Sequence, residues 1–403
     1  MSNKKDILLI ANYWHFEQEK ASSRYRTFAD ILCKHYDLEI VTSTFAHLKK
    51  EQRDETKLGI NLLPYEMKLI YEKGYSKNIS LKRISSYTQF GKNVIKYLKV
   101  RKLPDLIIVS VPSLAVADYV SKFAKENNIP LIIDIQDLWP EAFKMAIKAP
   151  VISDMLFAPM MKQANRAYSR ADVIMAVSDT YVARGKKYNK NAKGLSIYIG
   201  SDGKLIEEQI KNITVEKPEN EFWIGYIGML GHSYDIKLII DAIKKLNDEG
   251  IDNIVFKVMG DGILRSEFEQ YAKSSGIKYE FTGLLNYGVM MKTLMKCDIA
   301  VNPIIGTSVS SIINKVCDYA AAGIGVINTQ NSAEYRNLLS EYNAGINVDS
   351  GDVNGVVEAI KKLYSDSNLR EEMRKNSLKM FDDKFDRQKT YPMLIEAIDS
   401  LLK

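Results

Sequence analysis

Short runs rich in Val, Ile and Leu alternate with stretches of helical period along almost the whole chain, and this rhythm constrains the fold more than any single motif. Strands buried on both faces of a parallel sheet read as near-continuous apolar runs, because crossover helices cover both sides. The first half carries DILLIAN at 6–12, LEIVTS at 38–43, DLIIVS at 105–110, PLIIDI at 130–135, DVIMAVS at 172–178 and LSIYIG at 195–200. Helical-period segments near 22–35, 83–102, 113–127, 153–171 and 179–187 separate them. After Gly200 a charged, Pro-containing stretch intervenes, and the alternation starts afresh with FWIGYIG at 222–228. It continues through IVFKVMG at 254–260, KYEFTG at 278–283, CDIAVNP at 297–303, IGVINT at 324–329 and AGINVD at 344–349. The pattern predicts an α/β chain of two doubly wound domains, 1–200 and 201–386, with an amphipathic helix over 387–403. No fixed-period sequence repeat underlies it.

Composition narrows the function classes. With 403 residues and 46% hydrophobic content, one ordinary core is too small for the chain, which agrees with two domains. The net charge of +6 is modest for that length and argues against a dedicated nucleic-acid binder. Cys33, Cys297 and Cys317 are scattered and never form a CxxC pair, so neither a disulfide framework nor a zinc site is expected, and a reducing cytoplasm fits. The apolar run near the N-terminus is too short for a signal peptide, and no window reaches the length of a spanning helix. The expectation is a cytoplasmic protein that lies on a membrane at most.

In open α/β sheets ligands bind at the carboxyl ends of the strands, and anions favour helix N-termini, so the turns after the strands are the places to search. In the second half, GYIGMLGHSYD supplies Gly228, Leu230, Gly231 and His232 between a strand and a helix near Asp235, where backbone can approach a diphosphate closely. It is neither a Walker loop nor GxGxxG. Gly260 and Asp261 form the next such turn, with Asp261 as the expected cap of a helix from 262 or 263, and Gly283 the one after. In NKVCDYAAAGIGVIN, Asn314 and Lys315 open an Ala-rich helix, and Asp318 falls on the same face as Lys315. There Asp318 would accept hydrogen bonds from a ribose diol while Lys315 neutralises phosphate, although a surface ion pair fits the spacing equally. In the first half, DIQDLWPEAF sets Asp134, Gln136, Asp137, Trp139 and Glu141 directly after an apolar strand, and SSRYRTF places Ser22, Ser23, Arg24 and Arg26 at a helix start.

Taken together, DIQDLWPEAF, AVSDTYVARG, IYIGSD, GYIGMLGHSYDI, VMGDG and NKVCDYAAAGIGVIN, in this order, resemble the family-4 glycosyltransferases of bacterial capsule, O-antigen and exopolysaccharide synthesis. The resemblance implies a GT-B fold, two Rossmann-like doubly wound domains facing across a cleft, with the C-terminal helix crossing back to the first. It implies a nucleotide sugar, UDP-linked in the commoner case, held by Gly228, Leu230, Gly231, His232, Gly260, Asp261, Gly283, Ser310, Asn314, Lys315 and Asp318. The acceptor would be held by Arg24, Arg26, Asp137, Trp139 and Glu141, with Asp137, Lys315 and Asp318 in the catalytic roles. The family's acid eight positions before Asp318 is Ser310 here, and its Arg and Lys after the Gly loop are absent unless Lys237 or Lys315 replaces them. The implied chemistry is transfer with retention at the anomeric carbon, with neither a cofactor nor a metal.

From Glu66 to Leu103, ten Lys or Arg stand against two Glu, with Tyr71, Tyr75, Tyr87, Phe90 and Tyr97 interleaved. With the Met- and Phe-rich segment 143–162, this predicts a peripheral contact with the inner face of the cytoplasmic membrane and a lipid-linked or saccharide acceptor. A catalytically impaired scaffold subunit of a polysaccharide assembly complex is the alternative that Ser310 keeps open. A nucleic-acid partner is not expected, since no recognition motif accompanies the basic run.

Overall fold

The computed structural model describes all residues except 1–3, 17, 18, 20–23, 79, 145–149 and 306–311. The chain divides into two compact units, Met1–Ile197 with Tyr391–Lys403, and Tyr198–Thr390.

The first unit is built on a seven-stranded parallel sheet. Its spatial order is Glu66–Ile70, Asp37–Ser43, Asp6–Ile10, Leu106–Val111, Leu131–Ile135, Val173–Ala176, Lys193–Ser196. Asp6–Ile10 pairs with Asp37–Ser43 on one side and Leu106–Val111 on the other, so the strand order reverses between Asp6–Ile10 and Leu106–Val111. Such a reversal opens a crevice at the carboxyl ends, because the helices leaving the two strands diverge to opposite faces. Leu106–Val111 and Leu131–Ile135 are buried along their whole length, which explains why both are apolar except for Ser110 and Asp134 near their carboxyl ends. The edge strand Glu66–Ile70 lies inside the basic segment and alternates exposed with partly buried positions, so charge hid it from a search for apolar runs.

The second unit repeats the plan with six parallel strands. Their order is Lys278–Gly283, Ile254–Met259, Phe222–Ile227, Ile299–Asn302, Val326–Asn328, Gly345–Asn347, and here the reversal lies between Phe222–Ile227 and Ile299–Asn302. Three asparagines, Asn302, Asn328 and Asn347, face one another in register at the carboxyl ends of neighbouring strands. Their amides bond in a row, Asn302 Nδ2 to Asn328 Oδ1 and Asn328 Nδ2 to Asn347 Oδ1, each at 2.9 Å. Buried amides need such partners, and the row ties the three strand ends together, leaving the Asn302 Oδ1 without a partner among the described residues. The charged stretch after Gly200 contains the helix Gly203–Ile210, capped by Asp202 through the Leu205 N–H. The C-terminal segment forms Arg387–Thr390 and then Met393–Leu402, whose Leu394, Ala397 and Ile398 pack into the core of the first unit.

Candidate nucleotide and acceptor sites

In the second unit the reversal point is occupied by one side chain. Lys315 stands in the first turn of the helix Asn314–Ala321, whose N-cap residue Ile313 offers no side-chain acceptor, so the helix start keeps its positive end uncapped. The Lys315 Nζ lies 4.2 Å from the ring centre of Tyr226 and 3.8 Å from that of Tyr234. It borders the turn after Phe222–Ile227, since a Cβ added to Gly228 would come within 3.3 Å of it. This ammonium is removed from solvent and has no hydrogen-bond acceptor among the described residues. Burial drives its pKa well below the usual lysine value. Tyr226 itself is fixed by donating its hydroxyl proton to the Met229 carbonyl at 2.6 Å.

The glycines around this cation divide into two kinds. Gly228 has φ +122°, a conformation that glycine alone adopts without strain. Gly260 serves packing, because a Cβ there would fall 1.8 Å from the Gly228 carbonyl oxygen. The N–H groups of Gly228 and Leu230, expected to face a diphosphate, are instead spent on the carbonyls of Met259 and Asp261. Gly231 is buried, and His232 is exposed on the turn that follows. Asp261 does not cap the next helix, which starts at Arg265; its carboxylate accepts from the Gly262 N–H at 2.8 Å. Gly283, at φ +72°, lies against the Arg265 guanidinium. Ser310 falls outside the described residues, and Asn314 is exposed at the helix start.

Lys315 and Asp318 share a helix but not a partner. Asp318 Oδ1 accepts from the Ser201 hydroxyl and from the Tyr287 hydroxyl, both at 2.7 Å, while burial raises its pKa against those two bonds. The expected ribose carboxylate is therefore already bonded within its own unit through one oxygen. Lys237 is engaged elsewhere, in an ion pair with Glu267 at 2.7 Å, so Lys315 is the cation that meets the glycine turn.

In the first unit the expected acceptor residues separate. Arg24 is buried, pairs with Asp134 at 3.2 Å and donates to the Ile197 carbonyl at 2.8 Å, which makes it part of the core and withdraws it from substrate. Glu141 is likewise spent on Arg184. Arg26 borders a small cavity of about 170 Å³ with Trp14, Phe16 and Tyr65. Ser22 and Ser23 lie outside the described residues. Asp137 and Trp139 do come together: the indole N–H donates to Asp137 Oδ2 at 3.1 Å, and burial raises the Asp137 pKa although this bond and the nearby Arg83 charge oppose it. The basic segment also differs from expectation. Tyr75, Tyr87 and Phe90 are buried in the core instead of facing a lipid surface, the last two because the helix Leu81–Leu98 turns that face inward.

Sequence reasoning missed Tyr226 and Tyr234, which cradle Lys315, and Ser201 and Tyr287, which hold Asp318. For Tyr226 a signal existed, an aromatic hydroxyl two positions before Gly228 within an otherwise apolar strand. For Ser201 none did, since its partner is 117 positions away.

Residues 207–380 match the family of glycosyl transferases group 1. A transferase of Campylobacter jejuni subsp. jejuni serotype O:2, the GalNAc-alpha-(1->4)-GalNAc-alpha-(1->3)-diNAcBac-PP-undecaprenol alpha-1,4-N-acetyl-D-galactosaminyltransferase, is 26% identical over 163 residues, 40% of this chain and 43% of that protein. The 2-deoxystreptamine N-acetyl-D-glucosaminyltransferase of Niallia circulans is 23% identical over 177 residues, 43% of this chain and 44% of that protein. The chain thus spans less than half the length of the curated relatives it matches. The crystal structure of Anabaena Alr3699/HepE in complex with UDP superposes with a TM-score of 0.69 at 14% identity, covering 98% of this chain and all of that one. The fold of this chain is accordingly GT-B, two Rossmann-like units in one polypeptide, and within it residues 207–380 carry the likeness to the glycosyl transferases group 1.

Proposed function

We propose that this chain transfers a sugar from a nucleotide sugar, UDP-linked, to a lipid-linked or saccharide acceptor in cell-surface polysaccharide synthesis. The observation that carries the reading is the Lys315 ammonium, out of solvent, without an acceptor among the described residues, beside Gly228 at the strand reversal of the second unit. Two ring faces supply about 1–2 kcal/mol of cation–π attraction, less than a buried ammonium loses on leaving water. An anion at this point completes the site, and a nucleoside diphosphate is the anion that strand reversals of doubly wound sheets accommodate. The names of the two curated relatives, both sugar transferases, and the UDP of the solved relative support the same class of donor.

In this reading the acceptor oxygen attacks the anomeric carbon on the face from which the diphosphate departs. The carbon–oxygen bond to phosphate breaks with its electron pair on the diphosphate, and configuration is retained. Lys315 and the uncapped start of Asn314–Ala321 meet the charge that develops, and no metal is assigned to that task. The acceptor proton passes to the leaving phosphate oxygen or to Asp137, whose carboxyl pKa burial raises above the usual value. Asp318 serves the ribose through the oxygen that Ser201 and Tyr287 leave free. Peripheral attachment to the inner membrane face is part of the proposal. It rests on exposed Leu81, Ile84, Met155 and Leu156 among the lysines of the first unit, and no longer on the buried aromatics.

A thermal-shift titration with UDP and GDP tests the donor assignment. UDP is expected to raise the melting temperature of the wild type and to leave Lys315→Met unmoved, since a ligand stabilises only the state that binds it. A wild type indifferent to both nucleotides at millimolar concentration sinks the reading and brings the scaffold role forward.

A further inference from the structure

The small cavity of about 170 Å³ in the first unit lies between the turn that follows Asp6–Ile10 and the loop that precedes Glu66–Ile70. The turn supplies Trp14 and Phe16, the loop supplies Leu58, Leu62, Leu63 and Tyr65, and Arg26 is the charged residue of the lining. The Trp14 ring meets those of Phe16 and Tyr65 edge to face, with centres 6.4 and 6.0 Å away. Arg53 fixes both aromatic walls from behind. It donates to the Trp14 carbonyl at 2.7 Å, its guanidinium lies 5.3 Å from the centre of the Phe16 ring, and Glu19 pairs with it at 2.9 Å. Walls held in this way keep the space open. An apolar cavity of about 150 Å³ is large enough to take up a benzene molecule, so this one accommodates a small chemical group.

An independent observation says what kind of group. Trp14 is 1% exposed, and its indole N–H has no acceptor among the described residues. The other two tryptophans of the chain do find one: Trp139 donates to Asp137 and Trp223 to Glu221. A buried donor left unpaired is costly, and a buried indole N–H is ordinarily satisfied. The occupant that suits such a cavity is therefore small, apolar over most of its surface, uncharged, and equipped with one acceptor. An alkyl chain would leave the N–H as it stands, and a whole pyranose would press its hydroxyls against apolar walls. An acetamido group meets every requirement, with its methyl among the aromatic and leucine side chains and its carbonyl oxygen on the indole N–H. We propose that this cavity is a subsite for the acetamido group of an N-acetylated sugar, carried by the acceptor, with Trp14 Nε1 as the donor to its carbonyl oxygen. This rests on the transferase reading and deepens it by naming the class of acceptor, since the cation assigned to the nucleotide belongs to the second unit.

Saturation-transfer NMR with methyl glycosides tests the assignment without any turnover. In the wild type the acetyl methyl protons of methyl N-acetylglucosaminide or N-acetylgalactosaminide should receive more saturation than the ring protons. The methyl glucoside and galactoside, which lack the acetamido group, should not bind at the same concentration. Trp14→Phe keeps an aromatic wall and removes the donor, so binding of the acetylated glycoside is expected to weaken about fivefold. Leu62 borders the cavity and is 89% exposed, so Leu62→Trp covers the mouth without touching the core and should abolish the acetyl signal whether or not Trp14→Phe folds. No acetyl signal in the wild type, equal binding with and without the acetamido group, or a signal that Leu62→Trp leaves unchanged overturns the proposal. The same measurement on Lys315→Met should match the wild type, so failure of the donor assignment, read by the UDP titration, and failure of this subsite give different patterns. An acetyl group saturated only when UDP-N-acetylglucosamine presents it, and no longer in Lys315→Met, would place the donor's substituent in the cavity and overturn its assignment to the acceptor.

Discussion

Lys315 and Asp318 show how one helix turn carries two different kinds of residue. Removing the lysine takes away a buried charge with no counter-charge among the described residues, so Lys315→Met should not lower the melting temperature and is expected to raise it, while nucleotide binding disappears. The pH dependence carries the same signature. Because burial depresses the folded-state pKa below the unfolded value of 10.5, the unfolded chain binds the extra proton between the two values. Stability therefore rises with pH across that window in the wild type and loses this contribution in Lys315→Met, which denaturant titrations at several alkaline pH values would reveal. Asp318→Ala behaves oppositely: it strands the Ser201 and Tyr287 hydroxyls and should cost about 1–3 kcal/mol before any ligand is added. Nucleotide screens on that variant confound folding with binding, which makes Lys315 the cleaner probe. The sequence made both residues legible as a pair on one face, but not their division of labour. That division depends on Tyr226, Tyr234, Ser201 and Tyr287, which only the folded chain brings near.

Elements were easier to read than sites, for a physical reason. A doubly covered strand such as Leu106–Val111 must be largely apolar, here in all but Ser110, so its identity is written locally. The edge strand Glu66–Ile70 and the helix Gly203–Ile210 are covered on one side only, and their polar residues concealed them in charged stretches. The turns were legible as glycine turns, yet which glycine meets a ligand and which meets another backbone was not. Gly260 illustrates the second case, and its substitution is correspondingly predictable. Gly260→Ala drives a methyl into the Gly228 carbonyl oxygen, which belongs to backbone fixed by the sheet and has no rotamer to change. The cost should reach the upper end of overpacking, about 3 kcal/mol, and the displaced Gly228 turn should impair nucleotide binding as well. Urea denaturation with and without UDP reads both effects. An alanine variant as stable as the wild type would mean that the two turns are not in contact.

At the scale of the whole molecule, the rhythm of strands announced two units, and the chain's return to the first unit is the feature with the largest energetic consequence. The segment after Thr390 completes a core it is far from in sequence. Tyr391 packs its ring 4.5 Å from that of Phe28, and Leu394, Ala397 and Ile398 are buried beside it. Asp399 accepts a hydrogen bond from the Tyr36 hydroxyl at 2.6 Å. Burying a large apolar side chain contributes about 1.5–3 kcal/mol, so Tyr391, Leu394 and Ile398 together supply roughly 5–9 kcal/mol. A domain holds only about 5–15 kcal/mol in all, so a chain ending at Thr390 should leave its first unit at the edge of unfolding. The second unit, Tyr198–Thr390, loses none of its own residues. Calorimetry of the truncated chain should therefore separate into two transitions, the lower one from the first unit and the upper one still raised by UDP. A single transition at the wild-type temperature would show that the last helix contributes nothing to the first core. Loss of the UDP response with the upper transition intact would show instead that the nucleotide needs the first unit to be folded.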